Sequence, residues 1–195
     1  MKNQFIPSLS ATVLAGVMLA GFGTNVQAAN FDYNYIQGAY ESIDLDGPDA
    51  DVFRLSASYE LTPQLNFIAE YATGDIDNPA GGGDLDFEEV AIGLGYHTEI
   101  STSTDFTANI KVIDQDTDLA GDDTGYGVGI GLRHKLIDNI EVNANIDFVD
   151  VNDNEDTSLN VGARYYFNDA LSAGLNFSTS SDDVDVVSGN IRWNF

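Results

Sequence analysis

The feature that most constrains this chain is a hydrophobic alternation of period two, repeated through nearly all of it. Successive side chains of a β-strand point to opposite faces, so a strict apolar/polar alternation specifies strands with one apolar face. Ten such segments can be marked, separated by turns. The first, about Tyr33–Ile43, has an ambiguous register, because Tyr33/Tyr35 and Ile36/Tyr40 fall on opposite parities. The second is Asp51–Leu61 and the third Gln64–Thr73. The fourth is Leu85–His97, where Val90, Ile92, Leu94 and Tyr96 face one way but Leu85 and Phe87 sit on the other parity, which predicts a bulge near Glu88–Glu89. The remaining six are Thr104–Asp114, Gly125–Leu136, Ile140–Asp150, Thr157–Phe167, Ala170–Thr179 and Val184–Phe195.

The connections alternate as well. Thr62-Pro63, Thr98–Ser103, Ile137–Asn139 and Asn168-Asp169 are short. Asp44–Ala50, Gly74–Asp84, Gln115–Thr124, Val151–Asp156 and Ser180–Asp183 are longer or more acidic. An even number of strands with short turns at one end and longer loops at the other is the pattern of an up-and-down transmembrane barrel. The expectation is an all-β, single closed antiparallel barrel of ten strands. Eight is the alternative if the first segment or the last hairpin is miscounted.

A soluble sandwich or ligand-binding barrel would show the same alternation with its apolar face turned inward. Charge placement separates the two. The chain has 32 acidic and 7 basic residues. Every base beyond Lys2 falls on the non-apolar parity: Arg54, Lys111, Arg133, Lys135, Arg164 and Arg192. Glu60, Glu70, Glu141 and Asp147 share that face, so these ten residues are expected to form a charge network in a narrow polar lumen. An Arg or Lys turned to lipid would cost ~2–4 kcal/mol at mid-bilayer.

Aromatic placement points the same way. Oriented by the turns, Tyr59, Phe67, Tyr96, Phe106, Tyr165, Phe167, Trp193 and Phe195 collect at the short-turn end of the apolar face. Phe53, Tyr71, Tyr126, Phe148 and Phe177 collect at the long-loop end, with Phe87 if its parity is restored by the bulge. Aliphatic residues lie between. Two aromatic girdles around an aliphatic band match a bilayer. Segments of about ten residues, tilted, also cover the ~25 Å apolar band, whereas soluble strands run nearer ~5–6 residues.

The N-terminal stretch reads as an export signal. Lys2 supplies the positive start, Leu9 to Phe22 is uncharged, and Val26-Gln27-Ala28 ends in a small-residue cleavage pattern. The expected cut follows Ala28, giving residues 1–28 as signal peptide and 29–195 as the barrel; a cut after Ala29 is the alternative. The apolar run is shorter than the ~20 residues of a spanning helix. With no cysteine, disulfides and a lipoprotein anchor are excluded. The strong negative charge argues against a nucleic-acid partner.

The chain ends Gly189-Asn190-Ile191-Arg192-Trp193-Asn194-Phe195, a terminal Phe with residues at every second position on one face. This resembles the C-terminal signal read by the outer-membrane barrel assembly machinery, carried here by Gly189, Ile191, Trp193 and Phe195. Tyr33-Asn34-Tyr35-Ile36-Gln37-Gly38-Ala39-Tyr40, Gly93-Leu94-Gly95-Tyr96-His97 and Gly125-Tyr126-Gly127-Val128-Gly129 strengthen the likeness. The sequence resembles small outer-membrane β-barrel proteins of Gram-negative bacteria, including the xanthomonad immunity-activator type. The resemblance implies location and fold, outer-membrane lipid and lipopolysaccharide as surroundings, and no catalytic residues.

Candidate chemistry is sparse. His97 and His134, the only histidines, both fall near the periplasmic end without an evident nucleophile, which favours structural roles. Asp44, Asp46, Asp49 and Asp51, with Gly47, form a weak calcium candidate, but the EF-hand loop with its closing Glu is absent. Asp114, Asp116, Asp118, Asp122 and Asp123 make a second acidic loop. Solvated, self-repelling loops are the favoured reading, with divalent bridging to lipopolysaccharide phosphates the looser one. No cofactor is expected. Gly93, Gly95, Gly127, Gly129, Gly131, Gly162 and Gly174 leave lumenal room for water or bulky partners, or serve sheet curvature. Since small barrels fill their interior with side chains, no large pore is expected. The leading function is a non-enzymatic outer-membrane protein with a structural, surface-interaction or minor permeability role. A small porin for ions or solutes and a secreted soluble barrel binding an apolar ligand are the alternatives.

Overall fold

The structure is a computed structural model that describes residues 31–45, 49–78, 81, 83–118, 121–152, 154–181 and 184–195. The expected signal peptide lies outside the described residues, as does Asp46. Ten antiparallel strands form one closed up-and-down barrel. They are β1 (Tyr35–Asp44), β2 (Asp49–Thr62), β3 (Leu65–Ile76), β4 (Leu85–Ser101), β5 (Thr104–Thr117), β6 (Gly121–Ile137), β7 (Ile140–Val151), β8 (Asn154–Tyr166), β9 (Leu171–Ser180) and β10 (Asp185–Asn194). Each strand pairs with its sequence neighbours. The ring closes where β1 pairs with β10, from Tyr35 opposite Asn194 to Asp44 opposite Asp185. Closure removes both sheet edges, so every spanning backbone group has a partner.

The register of β1 is resolved: Gln37, Ala39, Glu41 and Ile43 face inward, Ile36 and Tyr40 outward. Phe31 and Tyr33 precede β1 and fold into the lumen. At three short turns the pairing slips by one residue, between Glu60 and Thr62, Glu99 and Ser101, and Lys135 and Ile137. The skipped residues Leu61, Ile100 and Leu136 all stay exposed on the outer face. In the fourth, the Asn168 side-chain oxygen accepts the Ala170 and Leu171 N–H groups, each at 2.9 Å.

The bulge expected near Glu88–Glu89 does not occur. β4 pairs continuously with β3 from Leu85–Ile76 to Tyr96–Leu65. Phe87 therefore points into the lumen, 1% exposed, and belongs to no outer girdle. The alternation persists while its polarity reverses. The strands also run further into the loops than expected. β5 continues to Thr117 and β6 begins at Gly121, so most of the segment read as the Gln115–Thr124 loop is barrel wall. At 17 residues, about 3.3 Å each and tilted about 40°, β4 rises roughly 40 Å, well beyond the ~25 Å apolar band.

The reversal defines two zones. Along the middle and turn-end parts of the strands, exposed Leu55, Ile92, Leu94, Ile110 and Ile130 face outward. At the loop end, Ile43, Ala50, Val52, Ala72, Ile76, Phe87, Val184 and Val186 pack inside the barrel, with Leu45 and Leu85 against them. Ala91, Ile113, Val149 and Val151 form a second internal apolar cluster. Outside, acids stand directly opposite acids. Asp75 lies between Asp51 and Asp86, and Asp116 between Glu88 and Asp122.

Candidate functional site

The lumen is the place where chemistry concentrates, and its packing follows from the strand sequences. Bulky inward residues sit opposite glycines on the neighbouring strands. Lys111 lies between Gly93 and Gly127, and Asn109 between Gly95 and Gly129. Gly131 faces Asn145, Gly162 lies between Asn143 and Asn176, and Gly174 faces Asn190. A Cβ on Gly95 would run into the Asn66 amide, and one on Gly131 into the Asn145 side-chain oxygen. The inward glycines thus make room for neighbouring polar side chains.

Three layers result. The loop-end layer is the apolar packing around Phe87. Below it lies a carboxylate-rich layer. Arg54 reaches Glu41 at 3.3 Å, Glu89 at 2.7 Å and Glu70 at 3.8 Å. Lys111 Nζ lies 3.0 Å from Glu70. Asp147 accepts from Asn160 Nδ2 at 2.8 Å. Arg54, Lys111, Glu41, Glu70, Glu89 and Asp147 are all buried.

The turn-end layer is rich in guanidinium and aromatic groups. Arg133 binds Glu141 through two bonds of 2.6 and 2.7 Å, and Tyr166 donates its hydroxyl to the same carboxylate. The segment before β1 closes this end. Phe31 stacks against the Arg133 guanidinium at 4.4 Å from the ring centre. Tyr33 stacks on His97 at 4.0 Å, and its hydroxyl lies 3.3 Å from Asp105. His97 is held by Asn66 Oδ1 and the Pro63 carbonyl, both at 3.2 Å. The Glu60 N–H donates to Asn34 Oδ1 at 2.9 Å. Arg164 and Arg192 converge on Gln37 of β1, with Arg192 stacked 3.8 Å from the Tyr35 ring centre.

Of the ten residues of the expected network, Arg54, Glu70, Lys111, Arg133, Glu141, Asp147, Arg164 and Arg192 are buried in the lumen. Glu60 and Lys135 are half-buried at the turn end. Four buried carboxylates were missed, Glu41, Glu89, Asp105 and Asp156, the last because it was read as the end of the Val151–Asp156 loop whereas β8 begins at Asn154. Glu41 was hidden by the uncertain register of β1, and Glu89 by the supposed bulge. Asp105 shares the parity of Asn109 and Lys111 and was open to inclusion. On the outer face, Tyr59, Phe67, Tyr96, Tyr165, Phe167, Trp193 and Phe195 are exposed at the turn end, and Phe53, Tyr71, Tyr126 and Phe177 toward the loops. Phe106 and Phe148 are half-buried. Tyr71 donates to Glu88 at 2.9 Å, linking the aromatic rim to the acids above it. Gly189, Ile191, Trp193 and Phe195 all lie on the outer face, and the Phe195 N–H donates to the Asn34 carbonyl at 3.1 Å.

His134 lies at the turn end with Nδ1 2.9 Å from the Thr104 hydroxyl. Asp44, Asp49 and Asp51 are exposed, with Asp44 opposite Asp49 across the first loop. Among the described residues no group of three or more His, Cys, Asp or Glu side chains is arranged to hold a metal.

The outer membrane protein β-barrel domain family matches residues 12–167. The chain belongs to that family. It is a protein of the bacterial outer membrane, and the apolar outer face of its wall meets lipid. No curated protein matches it. Among solved structures, an outer membrane channel from Pseudomonas putida F1 is similar with a TM-score of 0.57 at 11% identity, over 90% of this chain and 99% of that one. The β-domain of the Bordetella autotransporter BrkA is similar with a TM-score of 0.50 at 10% identity, over 84% and 99% of the two chains. At such identities the likeness is one of fold. The secreted soluble barrel is set aside by the family.

Proposed function

We propose that this outer-membrane barrel is non-enzymatic and closed to bulk flow, serving as a rigid wall element that presents an acidic collar to the outside. The observation carrying this reading is the filled lumen. Side chains lining an open aqueous path keep solvent exposure. Here inward residues at successive levels, among them Val52, Arg54, Glu70, Lys111, Arg133 and His97, are 0–5% exposed. An apolar plug at one end and the Phe31–Tyr33 segment at the other enclose the ionic layers.

Planar-bilayer recording of the purified barrel tests this. Absent or rare, small conductance steps are expected; large, stable steps would establish the small-porin reading instead. That second reading is favoured by one feature: the turn-end closure is a short segment outside the sheet, held by stacking and a few hydrogen bonds. Deleting residues 29–33 distinguishes the two. A porin gated by this segment gains steady conductance, whereas a filled barrel stays silent because the Arg54–Lys111 layer and the apolar plug remain.

The acid ladders of the collar support surface interaction through divalent cations bridging to lipopolysaccharide phosphates, since like charges directly opposite one another repel. Chelation is expected to speed proteolysis of the loops; identical digestion with and without calcium counts against bridging. Recognition of the terminal Trp193–Phe195 strand by the assembly machinery is part of the same proposal. Replacing Phe195 by Ala is expected to lower the amount of barrel in the outer membrane.

A further inference from the structure

The two polar layers of the lumen are not balanced alike. In the upper one, Glu41, Glu70, Glu89 and Asp147 surround Arg54 and Lys111, so carboxylates outnumber cations. In the lower one, Arg133 takes Glu141 through both of its short bonds. Arg164 and Arg192 lack a carboxylate within 4.0 Å among the described residues. They converge instead on one neutral acceptor. Arg164 Nη2 donates to Gln37 Oε1 at 2.7 Å, and Arg192 donates to the same oxygen from Nε at 3.0 Å and Nη2 at 2.8 Å. Arg164 makes one further bond, to Ser172 Oγ at 3.2 Å.

Two buried guanidiniums sharing an amide oxygen are hydrogen-bonded without a carboxylate in contact among the described residues; Glu141, opposite Arg164 on the neighbouring strand, is taken by Arg133. Buried charges in proteins are paired, because an unpaired one is strongly disfavoured away from water. Beside them stand further unsatisfied groups. Arg192 Nη1, 1% exposed as a residue, has no hydrogen-bond partner. Neither do both polar atoms of the Asn190 side chain, on the next inward position of β10. Asn190 faces Gly174 across the strand pair, and its amide lies over that glycine.

We propose that Arg164, Arg192 and Asn190 form an anion-binding site in the periplasmic half of the lumen, for one small oxyanion of the phosphate or carboxylate class. Planar guanidinium forks match the paired oxygens of such anions. The free Nη1 of Arg192 and the Asn190 amide supply donors, and the anion supplies the charge that Gln37 cannot. The site does not depend on whether the barrel conducts. Being buried, it loads while the barrel folds or breathes.

The test is to refold the mature barrel from urea into detergent micelles in phosphate or in chloride at matched ionic strength. The temperature at which the compact, heat-modifiable band is lost on a gel is then measured. Phosphate about a hundredfold above its Kd is expected to raise the wild-type value by roughly 5 °C. Arg192→Gln and Arg164→Gln are expected to abolish that increment. In chloride, Arg164→Gln should match or exceed the wild type, because one of two buried cations without a carboxylate in contact is gone. An equal phosphate increment in the variants, or none in the wild type, overturns the site. Should a variant fail to refold, equilibrium dialysis of the wild type refolded with radiolabelled phosphate decides. One retained phosphate per barrel supports the site, and none overturns it.

Discussion

The spanning part of the barrel and its loop-end collar are built from the same strands with opposite radial polarity. In the spanning part the outer face is Leu, Ile and Val, and the inner face carries Arg54, Glu70, Lys111 and Glu141. In the collar the inner face is Ile43, Val52, Ile76 and Phe87, and the outer face carries Asp51, Asp75, Asp86 and Glu88. The backbone register runs unbroken from one zone to the other in β4. What changes is the surrounding medium. Against lipid a charge is disfavoured outside, and against water an apolar chain is better placed inside. The collar obeys the rule of a soluble barrel and the spanning part its inverse, on one continuous sheet.

Substitutions at matched positions can break this comparison. The largest effect is expected in the ionic layer. Arg54→Met leaves Glu41 and Glu89 buried without their guanidinium and should cost roughly 3–5 kcal/mol, measured by urea unfolding in lipid vesicles. Phe87→Ala should cost about as much, roughly 3–5 kcal/mol, if Phe87 is core. A loss well below that would restore it to a lipid-facing girdle. Ile92→Arg, outward in the spanning part, should cost ~2–4 kcal/mol. Asp86→Arg, outward on the same strand in the collar, should be neutral or stabilising by up to about 0.5 kcal/mol, since it relieves repulsion from Asp75. Equal costs for these two arginines would mean that lipid reaches the collar. The smallest effect is expected for Asp116→Asn, a gain of a few tenths of a kcal/mol that vanishes when divalent cations already screen the ladder.

The Phe87 case shows why part of the molecule was legible and part was not. The ten strands follow from parity, their antiparallel order from the alternating turn lengths, and the outward turn of the aliphatic face from the placement of the bases and aromatics. Parity is local, so it survives without knowledge of neighbours. At Leu85–Glu89 it conflicts with a single lipid-facing rule, and a bulge was the simplest repair. The alternating acids Asp84, Asp86 and Glu88 carried the better signal: an intact period with its polarity reversed. Asp114 and Asp116 beside Ile113, and Asp150 between Val149 and Val151, repeat it. The same misstep hid Glu89 from the lumen. In β1 the Tyr33/Tyr35 and Ile36/Tyr40 conflict has another origin: Tyr33, before the strand, and Tyr35, its first residue, both lie inside the barrel, while Ile36 and Tyr40 face out.

The sequence by itself determined a closed antiparallel wall, since period two repeated tenfold with alternating turn lengths admits few other solutions. It also determined which face carries the bases, because a lipid-facing base is too costly to keep. Only the tertiary structure decided who meets whom. Glu41 reaches Arg54 from the adjacent strand and Glu89 reaches it from two strands away, while Arg164 and Arg192 meet on Gln37 from the far end of the chain. Those partners are set by stagger and closure around the ring, which are properties of the whole sheet. No local pattern records that the upper lumen is rich in carboxylates, that two arginines of the lower one converge on Gln37, or that Phe31 and Tyr33 close its end.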